Sequence, residues 1–101
     1  MKYTVIVRPE AEEDLKGAFS WYEDTRVGLG NDFLLQVDAG LNFIKRNPEI
    51  HPIEYKGTRK HLIKRFPYKI IYLVKAEKII VLAVLHGKRK PDLTKKRINS
   101  I

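Results

Sequence analysis

The 101-residue sequence contains no cysteine. Disulfide frameworks, thiolate zinc sites, iron–sulfur clusters and cysteine nucleophiles are thereby excluded, and the absence fits a reducing, cytoplasmic setting. Long apolar runs are missing as well. The longest, Ile79 to Leu85, falls far short of the ~18–20 residues that span a bilayer, and Met1 leads into a strand-like segment without signal-peptide design. A soluble chain with no membrane contact is expected. Neither a Gly-x-Gly-x-x-Gly run nor a Walker phosphate loop is present, and Gly28 and Gly30 precede a helix with no buried strand before them. His51, His61 and His86 are scattered along the chain, and Glu12-Glu13-Asp14 has the look of helix-start charge rather than a ligand set. Neither a metal nor any other cofactor is expected.

Acidic residues are scarce only in one half. Residues 1–54 hold 6 basic and 10 acidic side chains, net −4, whereas residues 55–101 hold 14 basic ones against Glu77 and Asp92 alone, net +12, which together give the overall +8. Cations concentrated in this way repel one another unless something neutralises them, which points to an anionic partner, either nucleic acid or an acidic protein, ahead of the simpler alternative of a solvated Lys-rich surface. The length suits one domain spanning residues 1–101. With 44% hydrophobic residues, a chain of this size can fill one core without staples.

Lys2 to Arg8 is rich in β-formers. Pro9 ends that segment and opens a helix at the position where a missing N–H costs little. Glu10, Glu12, Glu13 and Asp14 suit the positive end of the helix dipole, and Ala11, Leu15, Ala18 and Tyr22 keep helical spacing to about Asp24. After the turn at Gly28–Gly30, Phe33 or Leu34, Val37, Leu41 and Ile44 repeat the period until Asn47-Pro48 stops it. Two helices in a hairpin follow from this pattern. Past Pro52 the period changes, and Thr58 to Phe66, Lys69 to Val74 and Lys78 to His86 read as three strands of a meander, the last apolar on both faces and hence central. The expected order is β-α-α-β-β-β, an α+β fold. The basic tail, KRKPDLTKKR, is expected to be a short helix or disordered.

Six residues of the basic half draw attention: Arg59, Arg65, Lys69, His86, Lys88 and Arg89, all on or just beyond predicted strands. Strand alternation puts Arg59, His61, Ile63 and Arg65 on one face and Lys60, Leu62, Lys64 and Phe66 on the other. Cleavage of RNA by its own 2′-hydroxyl needs a base, an acid and cations for the developing phosphorane charge, and a Lys, Arg and His cluster supplies all three. His86 can titrate near neutrality, Lys69 among other cations can have a depressed pKa, and an Arg serves only as an electrostatic clamp. Against that stands a simpler role for His86, as a histidine that ends a core strand and bonds to backbone. Trp21-Tyr22 suit core and interface anchors better than a base-stacking platform.

Ala11 with Asp14-Leu15, Trp21-Tyr22, Gly28-Leu29-Gly30 with Phe33, Asn47-Pro48, Gly57 and Arg59, Phe66-Pro67-Tyr68 with Ile70 and Tyr72, and finally His86 with Arg89 and Pro91 together resemble the RelE/ParE toxin superfamily of type II toxin–antitoxin (plasmid stabilisation) modules. The match runs over nearly the whole chain. The resemblance implies a helical hairpin on a twisted, mainly antiparallel sheet, and as partner a small antitoxin that wraps the toxin and alone connects it to DNA. One branch resembles RelE, a ribosome-dependent mRNA endonuclease, and the other ParE, which inhibits DNA gyrase without established catalytic residues.

In the first branch, Lys69 falls where a catalytic Arg follows the Pro-Tyr pair, and Arg89 in Gly87-Lys88-Arg89 matches the late catalytic Arg. With His86 they are the catalytic candidates if the chain is RelE-like, and Arg59, Arg65 and Lys88 are the candidates for binding the target. A Tyr that stacks on RNA after the late Arg is missing, since Tyr72 is the last aromatic. The Trp-Tyr hairpin, Arg59 and the His-x-x-Arg-x-Pro pattern stand closer to ParE-like members. Gyrase inhibition is therefore the leading expectation, with a non-catalytic nucleic-acid-binding or structural module as a third. No helix carries a helix-turn-helix pattern, since the two helices together are acidic.

Overall fold

The computed structural model describes residues 2–88 and 91–100. The chain runs β1 (Thr4–Val7), α1 (Pro9–Thr25), α2 (Leu29–Arg46), a 3-10 turn (Tyr55–Gly57), β2 (Arg59–Leu62), β3 (Tyr68–Lys75), β4 (Lys78–His86) and α3 (Pro91–Asn99). The four strands form one sheet in the order β1-β4-β3-β2. Only β1 with β4 is parallel, as a long crossover requires, whereas short turns join the antiparallel pairs. The tail is helical from Pro91.

Local chemistry starts each helix. Arg8 is extended, Pro9 stands in the first turn of α1 and Glu10 and Glu12 follow it, so an unbonded N–H is dispensed with and the dipole is complemented. Between the helices the Glu23 carboxylate accepts the backbone N–H of Gly28 and of Gly30, each at 3.0 Å, and caps α2 from the preceding helix. A Cβ at Gly30 would stand 2.8 Å from the Phe19 ring, so this glycine lets the two helices approach. Gly28 holds φ +91° with open space where a Cβ would be, and strain there is purely conformational. Gly28→Ala should lower stability by about 1–2 kcal/mol, whereas Gly17→Ala, in open space inside α1, should raise it by roughly 0.5–1 kcal/mol. Urea unfolding of both variants checks the opposite signs.

The sheet is covered on both faces. Between the hairpin and the sheet lie Phe33, Val37 and Ile44 of α2 and Ile70, Tyr72, Ile79, Val81 and Val84 of the strands, all buried, with Tyr22, Phe33, Phe66 and Tyr68 in tilted and edge-on ring contacts at 4.8–6.0 Å. Ile98 of α3 packs with Ile71, Leu82, Ala83 and Leu85 in a second cluster. A bulge explains why residues three apart share a face: Ile71 pairs with Ala83 and Tyr72 with Val81, so Leu82 is the extra residue and the alternation of β4 reverses across it. Val81 and Val84 thereby both reach the helices.

The second strand is shorter than its sequence suggests. The alternation expected through Phe66 stops at Leu62, because Ile63 and Phe66 both enter the helix-side core, which residues three apart on a regular strand cannot do. The chain turns instead, with Arg65 at φ +71°, and Arg65 does not share a strand face with Arg59. At the opposite edge, Pro9 cuts β1 short while β4 runs on. Asp14 of α1 fills that edge: its Oδ2 accepts the Val84 N–H at 3.0 Å, and its two oxygens accept Arg97 Nη1 at 2.7 Å and Nη2 at 2.8 Å. This fork ties α3 to α1 and β4, and the hydrogen bonds to Asp14 hold the Arg97 guanidinium above its ordinary pKa against the opposing effect of burial. No helix among the described residues is long and apolar enough to cross a membrane.

Candidate functional site

A cavity of about 150 Å³ opens between α3 and the sheet beneath it. Strand alternation puts Lys60 of β2 and Lys69 of β3 on that face, diagonally across the pairs Lys60–Ile71 and Leu62–Lys69. From α3 come Pro91, Thr94, Lys95 and Ile98, and the segment before β2 supplies Glu54, Tyr55 and Thr58. Ile71 of the sheet below and Ile98 of α3 above make its apolar part. Among the described residues, three ammonium groups thus share the cleft with one carboxylate, Glu54, whose Oε1 lies 3.8 Å from Lys60 Nζ.

Burial, and secondly Lys60, push the Lys69 ammonium below its usual range, with Glu54 opposing. Such an environment favours an anionic ligand, since an incoming negative charge relieves both the desolvation and the repulsion between cations. The Thr94 hydroxyl is buried in the wall with no hydrogen-bond partner among the described residues, and so offers a donor to the same ligand. Tyr55 closes one side. Its hydroxyl donates to Asn99 Oδ1 at 3.0 Å, and Lys95 Nζ stands 5.2 Å from its ring centroid.

The six residues singled out from sequence do not form one cluster. Lys69 lies in the cleft. His86 projects on the other side of the sheet: Tyr68, its register partner, packs edge-on to it at 5.3 Å, and the two line a separate cavity of about 360 Å³ with Glu13, Gly17 and Trp21 of α1. His86 Nδ1 accepts the Lys88 backbone N–H at 3.0 Å, which leaves Nε2 to carry the proton of the neutral ring. Arg59 lines the cleft, yet its guanidinium donates to the carbonyls of Glu49 and His51. Arg65 is exposed, 3.8 Å from Asp32 of α2. Lys88 is exposed in the turn after β4, and Arg89 lies outside the described residues.

Sequence reasoning passed over Lys60 as one cation among many, and over Glu54, Tyr55, Thr94 and Lys95 altogether. Lys60 was findable, because it shares a parity with Leu62 across the pair from Lys69 once the register is fixed. Nothing local to the tail announced that Thr94 and Lys95 would face β3.

A four-stranded mixed sheet carries a helical hairpin on one face and a short helix over a cationic cleft on the other, and the chain that builds it matches a toxin family. Residues 5–91 match the family model of the ParE toxin of the type II toxin–antitoxin system parDE, and the chain belongs to that family. Solved structures repeat the fold. The chromosomal ParDE TA system from P. aeruginosa includes a chain with a TM-score of 0.61 at 19% identity, the match covering 86% of this chain and 98% of that one. A doubly substituted E. coli toxin RelE in the free state gives a TM-score of 0.73 at 16% identity over 100% and 99% of the two chains. The isolated E. coli RelE toxin gives 0.63 at 15% identity over 98% and 99%. No curated protein matches the chain by sequence.

Proposed function

We propose that this toxin arrests growth by binding DNA gyrase through the cationic cleft, without cleaving RNA. The observation that supports this reading is the separation of Lys69 from His86. Adjacent residues of one strand face opposite ways, and since Tyr68 is paired with His86 and Lys69 with Leu85, the imidazole is on the far side of the sheet from the ammonium. The cleft is thus equipped to hold negative charge. It lacks an imidazole to move protons there.

Tyr55 favours a second reading, in which the chain is a RelE-like endonuclease with Lys69, His86 and Arg89 as its catalytic groups. An aromatic ring at the cleft wall can stack on a base, a contact worth about 1–3 kcal/mol, although it comes from the segment before β2 and not from the tail. One purified sample decides between them. The expected result is inhibition of gyrase supercoiling with ribosome-bound mRNA left intact; codon-position cleavage on programmed ribosomes would reverse the choice.

The antitoxin of this system is expected to combine acidic and apolar side chains. Acidic residues would meet the basic half of the toxin, and apolar ones the exposed Trp21, Leu34 and Leu35 of the helical hairpin. Their dissociation constant should therefore rise with salt but the complex should persist, because only the charged part of the contact is screened.

A further inference from the structure

Residues 47–58 join α2 to β2, and Tyr72, whose hydroxyl donates to the Pro48 carbonyl, Arg59 and His61 fasten their first part to the sheet. Arg59 donates to the carbonyls of Glu49 and His51, while His51 Nε2 lies 2.9 Å from His61 Nδ1 of β2. The His61 ring is held in place, stacked on Phe43 of α2 at 5.0 Å with an interplanar angle of 23°. Gly40 leaves the room it needs, since a Cβ there would stand 3.2 Å from His61 Cδ2. The same connection supplies Glu54 and Tyr55 to the cleft wall.

We propose that the His51–His61 contact is a proton-operated pin, which fastens the 47–58 connection to the sheet while at least one of the two facing nitrogens is bare and releases it when both carry protons. With two neutral rings, one nitrogen donates and the other accepts. A single added proton preserves the bond, because the charged ring donates to the neutral one. A second proton leaves two N–H groups and two positive charges face to face at 2.9 Å, where attraction becomes repulsion. The connection then keeps Arg59, the Tyr72 hydroxyl on the Pro48 carbonyl and the contacts of Glu54 with Lys60 and Tyr55 with Asn99, but its middle, around His51, loses its side-chain tie to the sheet.

The surroundings resist that second proton. Arg46 of α2 and Lys64 of the following turn line the cavity beside His61, and no carboxylate lines it with them; Arg59 approaches from β2, and Glu49 is the acid of the connection nearest the pair in sequence. Burial first, then His51 and Lys64, lower the His61 pKa. A histidine that binds its proton less readily folded than unfolded contributes stability above its unfolded value of about 6.5 and loses it as pH falls below. The release accordingly belongs on the acid side.

Hydrogen exchange of the full chain at pH 7.5 and 5.0, corrected for intrinsic rates, tests this. Amides of residues 47–58 should open more at pH 5.0, by up to about tenfold per pH unit in the window of the second proton, while those of α2 stay protected. In His51→Gln the side-chain amide can turn either its oxygen or its NH₂ towards His61, so opening of the connection should become independent of pH. Exchange that does not rise in the wild-type chain, or that rises equally in His51→Gln, overturns the proposal. The measurement reads the connection itself, so its outcome is independent of which target the cleft binds.

Discussion

Lys69→Glu is expected to weaken inhibition of gyrase supercoiling by about 10²-fold and to abolish growth arrest when the chain is expressed without its antitoxin. Losing one partner of a buried charged contact costs about 2–5 kcal/mol, and the reversed charge adds repulsion against the anionic groups the cleft attracts. The fold should tolerate the change. Lys69 stands at the open side of the sheet, where burial and then Lys60 depress it while Glu54 opposes them, so a carboxylate there exchanges repulsion from Lys60 for repulsion from Glu54 and leaves the balance of pairs little changed. Net charge alone is the competing explanation, since the substitution removes two units from +8. Lys75→Glu makes the same change at the exposed end of β3, away from the cleft, and is expected to alter the half-inhibitory concentration only slightly at physiological salt, where charges more than ~8 Å apart are largely screened. Equal losses in the two variants would show that the protein's overall field, and not the cleft, carries the interaction.

Much of this architecture is legible in the sequence because its signals are local. Pro9, the acidic first turn and the spacing of Ala11, Leu15, Ala18 and Tyr22 define α1 without reference to anything else, and Asn47 closes α2 where the periodicity stops. The apolar run of β4 announces a central strand covered on at least one side, and the structure covers both.

Legibility fails where the structure depends on two distant segments at once. Alternation from Thr58 to Phe66 looks unbroken on paper, but the helix-side core takes both Ile63 and Phe66 and ends the strand at Leu62. The bulge at Leu82 is silent in sequence, because an extra apolar residue in an apolar run changes no pattern, yet it sets which face His86 occupies. His51 and His61 look unrelated at a separation of ten residues, and the connection folds back to put them 2.9 Å apart. The cleft is of the same kind. Its Lys60 and Lys69 come from neighbouring strands, and its roof comes from a basic tail whose attachment depends on an acid 83 positions earlier in the chain.

That acid, Asp14, carries the largest expected effect on stability. Its carboxylate meets three donors, and both members of the pair are largely shielded, with side-chain exposures of 11% for Asp14 and 23% for Arg97. Breaking a buried pair from one side costs about 3–5 kcal/mol. Partial exposure of the guanidinium puts Asp14→Ala near the lower end, at about 3 kcal/mol, or roughly 15 °C in Tm for a chain of this length. Arg97→Ala should cost less, because the remaining carboxylate still accepts the Val84 N–H and so keeps the bare edge of β4 satisfied. Asp14→Asn keeps an acceptor for Val84 but loses the charged fork, and should fall between Asp14→Ala and wild type. The double variant is the sharper measurement: once Asp14 is gone, removing Arg97 should cost little more, giving a coupling energy of at least about 1 kcal/mol in a double-mutant cycle. Exchange of α3 amides should rise in Asp14→Ala well before the sheet unfolds, since α3 is then held mainly by Ile98, the Tyr55–Asn99 bond and Lys95 over the Tyr55 ring. Additive single effects, or an α3 that remains as protected as in the wild type, would mean that the helix is held by apolar packing and that the fork across the edge of β4 is incidental.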